Sequence, residues 1–524
     1  MKRAVSKKEA KQMTAAETIC AVYLCLLGVA LPLAVHDAYF DITITKASVF
    51  WSLGGALAAA CALCLLLRKK ESGILAPRGL PDLLIALFAL CPILSTLLFQ
   101  SSSNALTAPD NRCQGVLSFS MYLLVFLLLR RGGRLTPLVR LALLLGASTA
   151  ALLGVLDIFG LSVLPLRAVS PAIELPRFLS TVGNITFYGA LCVLFLPFAA
   201  WYALSAKDLR GALPYALCAL IALCGCMAAR TEASLLGVLA FLAVLPLFSR
   251  DERALRRVPL LWAFSSAAAL FFSSAMSRSA LYPPSELTRL ACSPALLLPL
   301  GLIAAAVYFL LRGKPDETVR RARKIYILLF WAAACLGALF LVLANTLWRE
   351  RLPASLASVL VFSPSWGSDR GAEWAGFWRM FRAAPLLKKL IGSGAGSLLK
   401  WDSVHPLFPD ALTDSAHNEY LHYLLTNGLI GALSYLALLV LAFRRAIKEP
   451  SRGRTAAALG CFAYAVQAAV NIAQPFTTPL FFALLALLCA DRAFEQNEEP
   501  REDQAFLYVA VPALALALLV AAAV

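Results

Sequence analysis

The run IYILLFWAAACLGALFLVLANT, residues 325–346, contains no charged side chain. As a helix it would rise about 33 Å, enough to cross the hydrocarbon core of a bilayer. Six Lys and Arg crowd residues 312–324 before it, and the longest polar segment of the chain, 347–416, follows it. Outward from this run the same grammar recurs, an apolar stretch of about twenty residues with short charged clusters between. Spans are expected near 18–35, 47–67, 80–99, 115–129, 137–158, 185–205, 212–229, 232–248, 259–276, 292–311, 325–346, 417–443, 456–473, 476–490 and 506–524. The fold class that follows is an all-α polytopic membrane protein of about 14–15 transmembrane helices.

Composition agrees. Of 524 residues, 60% are hydrophobic and only 15% charged, well outside the balance of soluble domains. The net charge of +17 raises nucleic acid as a partner, but the cations sit in short clusters between apolar runs, as topogenic charges do. No nucleic-acid binding is therefore expected. The 14 Cys lie almost all inside apolar runs, so they read as small hydrophobes with no disulfide framework, and Cys61-x-x-Cys64 reads as helix packing.

The distribution of charge orients the chain. Lys2, Arg3, Lys7, Lys8 and Lys11 precede the first apolar run, which is expected to remain as an uncleaved span because no clean small-x-small site follows. With this end in the cytoplasm, inside segments hold 31 Lys and Arg and short outside loops hold 7. The expected organisation is N-terminal transmembrane helices over 1–346, an extracytoplasmic loop domain over 347–416 and C-terminal transmembrane helices over 417–524. The acidic stretch Glu495–Asp503 reads as a solvated cytoplasmic loop.

The polar segment ends in Asp414-Ser415-Ala416-His417-Asn418-Glu419-Tyr420-Leu421-His422 and runs on to Asn427-Gly428-Leu429-Ile430-Gly431. Two readings fit these residue types. An imidazole at a membrane–water boundary can take a proton from an attacking hydroxyl. Alternatively the cluster caps a helix through Asp414 or Ser415 and anchors Tyr420 in the aromatic belt. Upstream, Arg370, Trp374, Phe377, Trp378 and Phe381 form the stripe of an amphipathic helix, expected to lie on the outer leaflet with its aromatics in the interface. Gly392-Ser393-Gly394-Ala395-Gly396 reads as a tight turn able to approach a ligand.

Arginines recur outside the membrane at span ends. Arg177 precedes the span at 185, Arg230 sits in a turn beside Glu232, and Arg370 begins the amphipathic helix. Guanidinium forks suit phosphate oxygens, and three converging on one cavity would hold a pyrophosphate. Each also has a plain reading: snorkelling for Arg177, a pair with Glu232 for Arg230, a pair with Asp369 or Glu373 for Arg370. A metal site would need clustered carboxylates, yet no Asp-x-Asp or Glu-x-Asp occurs in an outside loop; His36, Asp37 and Asp41 form the one loose group. His417 and His422 are about 140° apart on a helix and do not readily share an ion. No Walker loop, Rossmann glycines or Gly-x-Ser-x-Gly elbow stands in a strand–turn–helix context.

His417-Asn418, nine residues, then Gly428-Leu429-Ile430-Gly431 resembles the signature of the O-antigen ligase and polymerase family of bacterial membrane glycosyltransferases. Arg177-x-x-Ser-Thr-Val-Gly-Asn184-Ile185-Thr186 looks like the family's Arg followed by Gly-Asn-Pro, with Ile185 in place of proline. Arg370-x-x-x-Trp374, Pro385-Leu386-Leu387 and Gly392-Ser393-Gly394 is similar to its loop pattern. Arg230-Thr231-Glu232-Ala233-Ser234 departs from the family's Thr-x-Ser-Arg-Gly, with Glu232 where arginine is usual and Arg230 as the neighbouring cation. The resemblance implies a GT-C-like bundle with a helical extracytoplasmic loop domain in the plasma (inner) membrane. It implies transfer of a glycan from an undecaprenyl-diphosphate carrier to an acceptor hydroxyl, on lipid A–core for a ligase or a second lipid-linked repeat for a polymerase, without metal or other cofactor. In that reading His417 is the general base, and Arg177, Arg370 and Arg230 hold the diphosphate. Asn418, Glu419, Tyr420 and Asn184 contact substrate, and membrane lipid surrounds the chain. The reading from another class is a transporter of lipid-linked glycans, disfavoured because the span midplanes carry so few charges.

Overall fold

The computed structural model describes residues 13–67, 79–100, 105–108, 112–167, 177–408 and 412–494. The expected span at 506–524 and the stretch Glu495–Asp503 lie outside these residues. The described chain is almost wholly helical: α1 Ala15–Leu33, α2 Ile42–Leu67, α3 Leu80–Phe99, α4 Val116–Gly132, α5 Pro137–Ile158, α6 Ile185–Leu204, α7 Leu209–Ala228, α8 Glu232–Phe248, α9 Glu252–Ser279, α10 Glu286–Ala291, α11 Pro294–Leu311 and α12 Asp316–Asn345. Then come α13 Ala354–Leu360, α14 Trp366–Ala383, α15 Leu386–Ile391, α16 Ser397–Val404, α17 Glu419–Thr426, α18 Gly428–Lys448, α19 Arg452–Gln467 and α20 Thr478–Cys489. One two-stranded antiparallel ladder, β1 Phe178–Leu179 with β2 Gly183–Asn184, precedes α6.

Ten of these helices are long and apolar enough to cross a membrane. The protein is an all-α polytopic membrane protein, and burial shows why water is the wrong solvent for it. Leu302 of α11 and Leu328 of α12 are each 70% exposed, with Phe309, Leu310, Leu329 and Trp331 similarly bare. Apolar surface of this extent is stable only against lipid. The centre belongs to α6, buried along nearly its whole length between α5, α7, α8 and α19. Close packing there depends on small residues. A Cβ on Gly146 of α5 would lie 2.0 Å from the Gly28 carbonyl oxygen of α1, so these helices touch backbone to backbone.

The two ends of the bundle differ in chemistry. At the end carrying the basic clusters, Asp82 accepts from Arg130 at 2.7 Å and Arg131 at 2.8 Å, and Arg445 reaches Asp491 at 2.8 Å. At the opposite end lie the β1–β2 hairpin, the His36–Asp41 pair at 2.8 Å and the segment between α12 and α17. Lys46 at this end is fully buried, its Nζ donating to the carbonyls of Leu31 and Pro32, both at 2.8 Å. Thr181 of the hairpin donates to the same Pro32 carbonyl, so the hairpin is anchored to the end of α1.

Two local expectations are corrected. The stripe on α14 does not lay its aromatics in the lipid interface as a set. Phe377 and Met380 are buried with Leu398, Ala416 and Leu425 in a second small core, because the polar segment supplies its own apolar partners. Trp378 stays half-exposed, stacked on Phe381 at 5.4 Å. The expected single span at 417–443 is two helices, broken between Asn427 and Gly428. Gly428 takes φ +69°, and a Cβ there would lie 2.3 Å from the Gly392 nitrogen. The Gly392–Gly394 turn therefore meets the α17–α18 crease, with Ser393 and Gly394 donating to the Leu425 and Thr426 carbonyls at 2.9 and 3.1 Å.

Candidate active site

The site is built at the end of the bundle that carries the polar segment. Asn418, not Asp414 or Ser415, caps α17, its side-chain oxygen accepting from the Leu421 N–H at 3.0 Å. The residue before it, His417, has φ +42°, a left-handed conformation that turns its side chain out of the helix. Its backbone N–H donates to Ser415 Oγ at 3.3 Å. Its Nδ1 lies 2.9 Å from Oε2 of Glu373, a residue of α14. The imidazole is 36% exposed while the carboxylate is 10% exposed. A carboxylate on Nδ1 favours the tautomer that carries its proton there, which leaves Nε2 as the nitrogen able to accept.

Helix α14 is held in place to make that contact. Trp374 Nε1 donates to the Ala416 carbonyl at 2.8 Å, one residue before the histidine. Its ring packs on Trp366 at 5.3 Å and Phe362 at 6.0 Å. Regular helix begins at Arg370, since Gly367, Ser368 and Asp369 all take positive φ. Arg370, one turn before Glu373, donates through a terminal nitrogen to the Gly367 carbonyl at 2.8 Å, while its buried Nε has no hydrogen-bond partner among the described residues. Arg370, Glu373, Trp374 and His417 thus form one contiguous unit.

Glu419 is placed differently from a substrate-facing group. It is 1% exposed and accepts from Tyr435 at 2.7 Å and Tyr464 at 3.1 Å, tying α17 to α18 and α19. Tyr420 donates its hydroxyl to the Ala465 carbonyl at 2.5 Å. Asn184 caps α6 through the Thr186 N–H at 2.8 Å. Arg177 is exposed immediately before β1. Arg230, with φ +54°, lies with its guanidinium carbon 5.1 Å from the Tyr282 ring centre, at the turn between α7 and α8. Both arginines stand at the same end of the bundle as His417, because α6 and α8 start there.

Two participants escaped the sequence. Glu373 was only a possible surface partner for Arg370. Arg112 counted merely as one of the seven cations in short outside loops, yet it bonds Asp414 at 2.9 Å and lies 5.7 Å over the Phe187 ring. No local signal links position 112 to 414 or 373 to 417; only the fold closes those loops.

The fold and this end-on polar site define a class: a multi-span helical membrane protein with a histidine–carboxylate pair held between α14 and the start of α17 at one end of the bundle. Residues 293–436 match the sequence model of the family described as O-antigen ligase, and over this region the chain is similar to that family. The match contains Arg370, Glu373, His417, Asn418, Glu419 and Tyr420, whereas Asn184, Arg177 and Arg230 lie before it. No curated protein matches the chain.

Proposed function

We propose that this protein transfers a glycan from an undecaprenyl-diphosphate carrier to an acceptor hydroxyl at the outer face of the plasma membrane, with His417 as general base. The observation that carries the reading is the 2.9 Å contact between His417 Nδ1 and the mostly buried Glu373 carboxylate. Glu373 holds the Nδ1 proton, so Nε2 accepts the proton of the acceptor hydroxyl as its oxygen attacks the anomeric carbon. The glycosyl–phosphate bond breaks, and charge grows on the departing diphosphate. Arg370, Arg177 and Arg230 are the groups we assign to neutralise it; fixed cations act most strongly where charge develops. Guanidinium groups supply here what a metal supplies elsewhere, so transfer is expected to persist in EDTA.

Asn418 sets the start of α17 and thereby the backbone turn at His417. Glu419, through its two tyrosines, keeps that start in register with α18 and α19. The polar end faces out of the cytoplasm in this reading, following the 31-to-7 bias of basic residues.

The test is transfer in vitro from an undecaprenyl-diphosphate oligosaccharide, with EDTA present, by native protein and His417→Ala. Loss of a positioned general base is expected to slow transfer about 10²- to 10⁴-fold. Equal rates would remove His417 from the mechanism. Product mass separates ligation to a lipid acceptor from polymerisation of repeats. Movement of substrate across liposomes without a new glycosidic product would replace the enzyme reading with a transporter.

A further inference from the structure

We propose that a narrow pocket beside His417, formed by Arg112, Gln114, Ser415 and His422, binds a hydroxyl group of a sugar. Ile472 and Ala473 complete its lining. The proposal rests on the glycan-transfer reading only for which sugars arrive there; the pocket's chemistry stands on its own geometry.

Three buried nitrogens of its lining have no hydrogen-bond partner among the described residues: Arg112 Nε, Gln114 Nε2 and His422 Nδ1. Gln114 and His422 are only 3% and 8% exposed. Burying a donor without a partner is costly, and folded proteins keep such groups where a ligand or water meets them. Two of these side chains are otherwise engaged, which helps to fix where they stand. Arg112 is held by Asp414 at 2.9 Å, and Gln114 Oε1 accepts from the Tyr122 hydroxyl at 3.2 Å. Ser415 Oγ, of the same lining, accepts from the His417 N–H at 3.3 Å, which ties the pocket to the backbone of the base two residues on.

The charge balance chooses the ligand. Asp414 neutralises Arg112, so the pocket offers donors without a net positive charge to draw a phosphate. Guanidinium and amide N–H groups donate, while an imidazole nitrogen and a serine oxygen are able to accept. A hydroxyl, which both donates and accepts, satisfies that set; a phosphate oxygen only accepts. The apolar Ile472 and Ala473 suit the carbon that bears such a hydroxyl.

The experiment is saturation-transfer NMR on the full-length protein in nanodiscs, with methyl glycosides of glucose, galactose and mannose as probes. At least one glycoside is expected to contact the native protein, and Gln114→Met, which keeps volume and removes the donor, is expected to weaken it about three- to tenfold, the size of one lost neutral hydrogen bond. Thermal unfolding checks that this variant is folded. Gln114→Glu, nearly isosteric, is the second variant, with the same weakening expected. Native-strength binding in a folded Gln114 variant overturns the proposal, as does an absence of contact by all three glycosides with native protein. Displacement of the sugar by inorganic pyrophosphate also overturns it, in favour of a phosphate site. His417→Ala is expected to keep the contact, and a native protein that binds the glycoside but forms no glycosidic product would end the transferase reading while leaving the pocket intact.

Discussion

Glu373 and His417 stand 44 positions apart in the chain and 2.9 Å apart in the fold. The histidine was legible because four His in 524 residues make one at a membrane boundary conspicuous, and because its spacing to Gly428 and Gly431 resembles a family signature. The glutamate was not, since a carboxylate beside an arginine on a surface helix has a cheaper explanation. If the carboxylate orients the imidazole, Glu373→Gln should keep the fold and slow transfer about 10- to 100-fold, the range found when an orienting partner behind a working histidine is lost. Steady-state rates beside a thermal melt decide it: an unchanged rate in a folded variant would reduce Glu373 to a structural contact.

At the scale of elements, the site depends on how α14 and α17 are pinned. The indole of Trp374 reaches the Ala416 carbonyl at 2.8 Å, and Trp374→Phe would keep much of the ring packing while leaving that carbonyl without its donor. A loss of about 1–2 kcal/mol in stability and a several-fold fall in transfer are expected. Thermal unfolding together with initial rates would show it, and native values for both would mean the indole N–H does not set the histidine's position. The crease between α17 and α18 is stricter. Alanine at Gly428 must accept φ +69° and place a Cβ against Gly392, so Gly428→Ala should destabilise by about 2 kcal/mol or more. A melting temperature within a degree of native would show that the crease relaxes. Periodicity over 417–443 predicted a continuous helix because Asn427 and Gly428 weaken a helix by little in isolation. The tertiary approach of the Gly392–Gly394 turn makes the break.

For the whole molecule, the two polar ends carry the predictions. Asp82 accepts from Arg130 and Arg131, all three side chains at most 8% exposed. Asp82→Asn would remove the negative charge that both buried guanidinium groups bond, and a loss of about 3 kcal/mol in unfolding stability is expected, read as a lower melting temperature in detergent. No shift would mean that lipid phosphates or water replace the carboxylate. Orientation is tested in intact cells with a membrane-impermeant maleimide. Ser403→Cys, in the polar segment, should label directly, and Lys314→Cys, between α11 and α12, only after permeabilisation. The reverse pattern would invert the topology and place His417 in the cytoplasm.

Hydropathy and charge clustering alone determined that the chain crosses a membrane many times, where most spans begin and end, and which polar segment is set apart from them. These follow from solvation: lipid requires apolar side chains and internally satisfied backbone over some twenty residues, and that demand is written locally. Tertiary structure decided what the polar residues do. The α14 aromatics found protein partners instead of lipid, Glu419 turned inward to two tyrosines, and Arg112 and Glu373 joined residues hundreds or tens of positions away. Such pairings form only when helix packing closes the loops between them, and a hydrogen bond acts over about 3 Å, a distance that sequence separation does not encode.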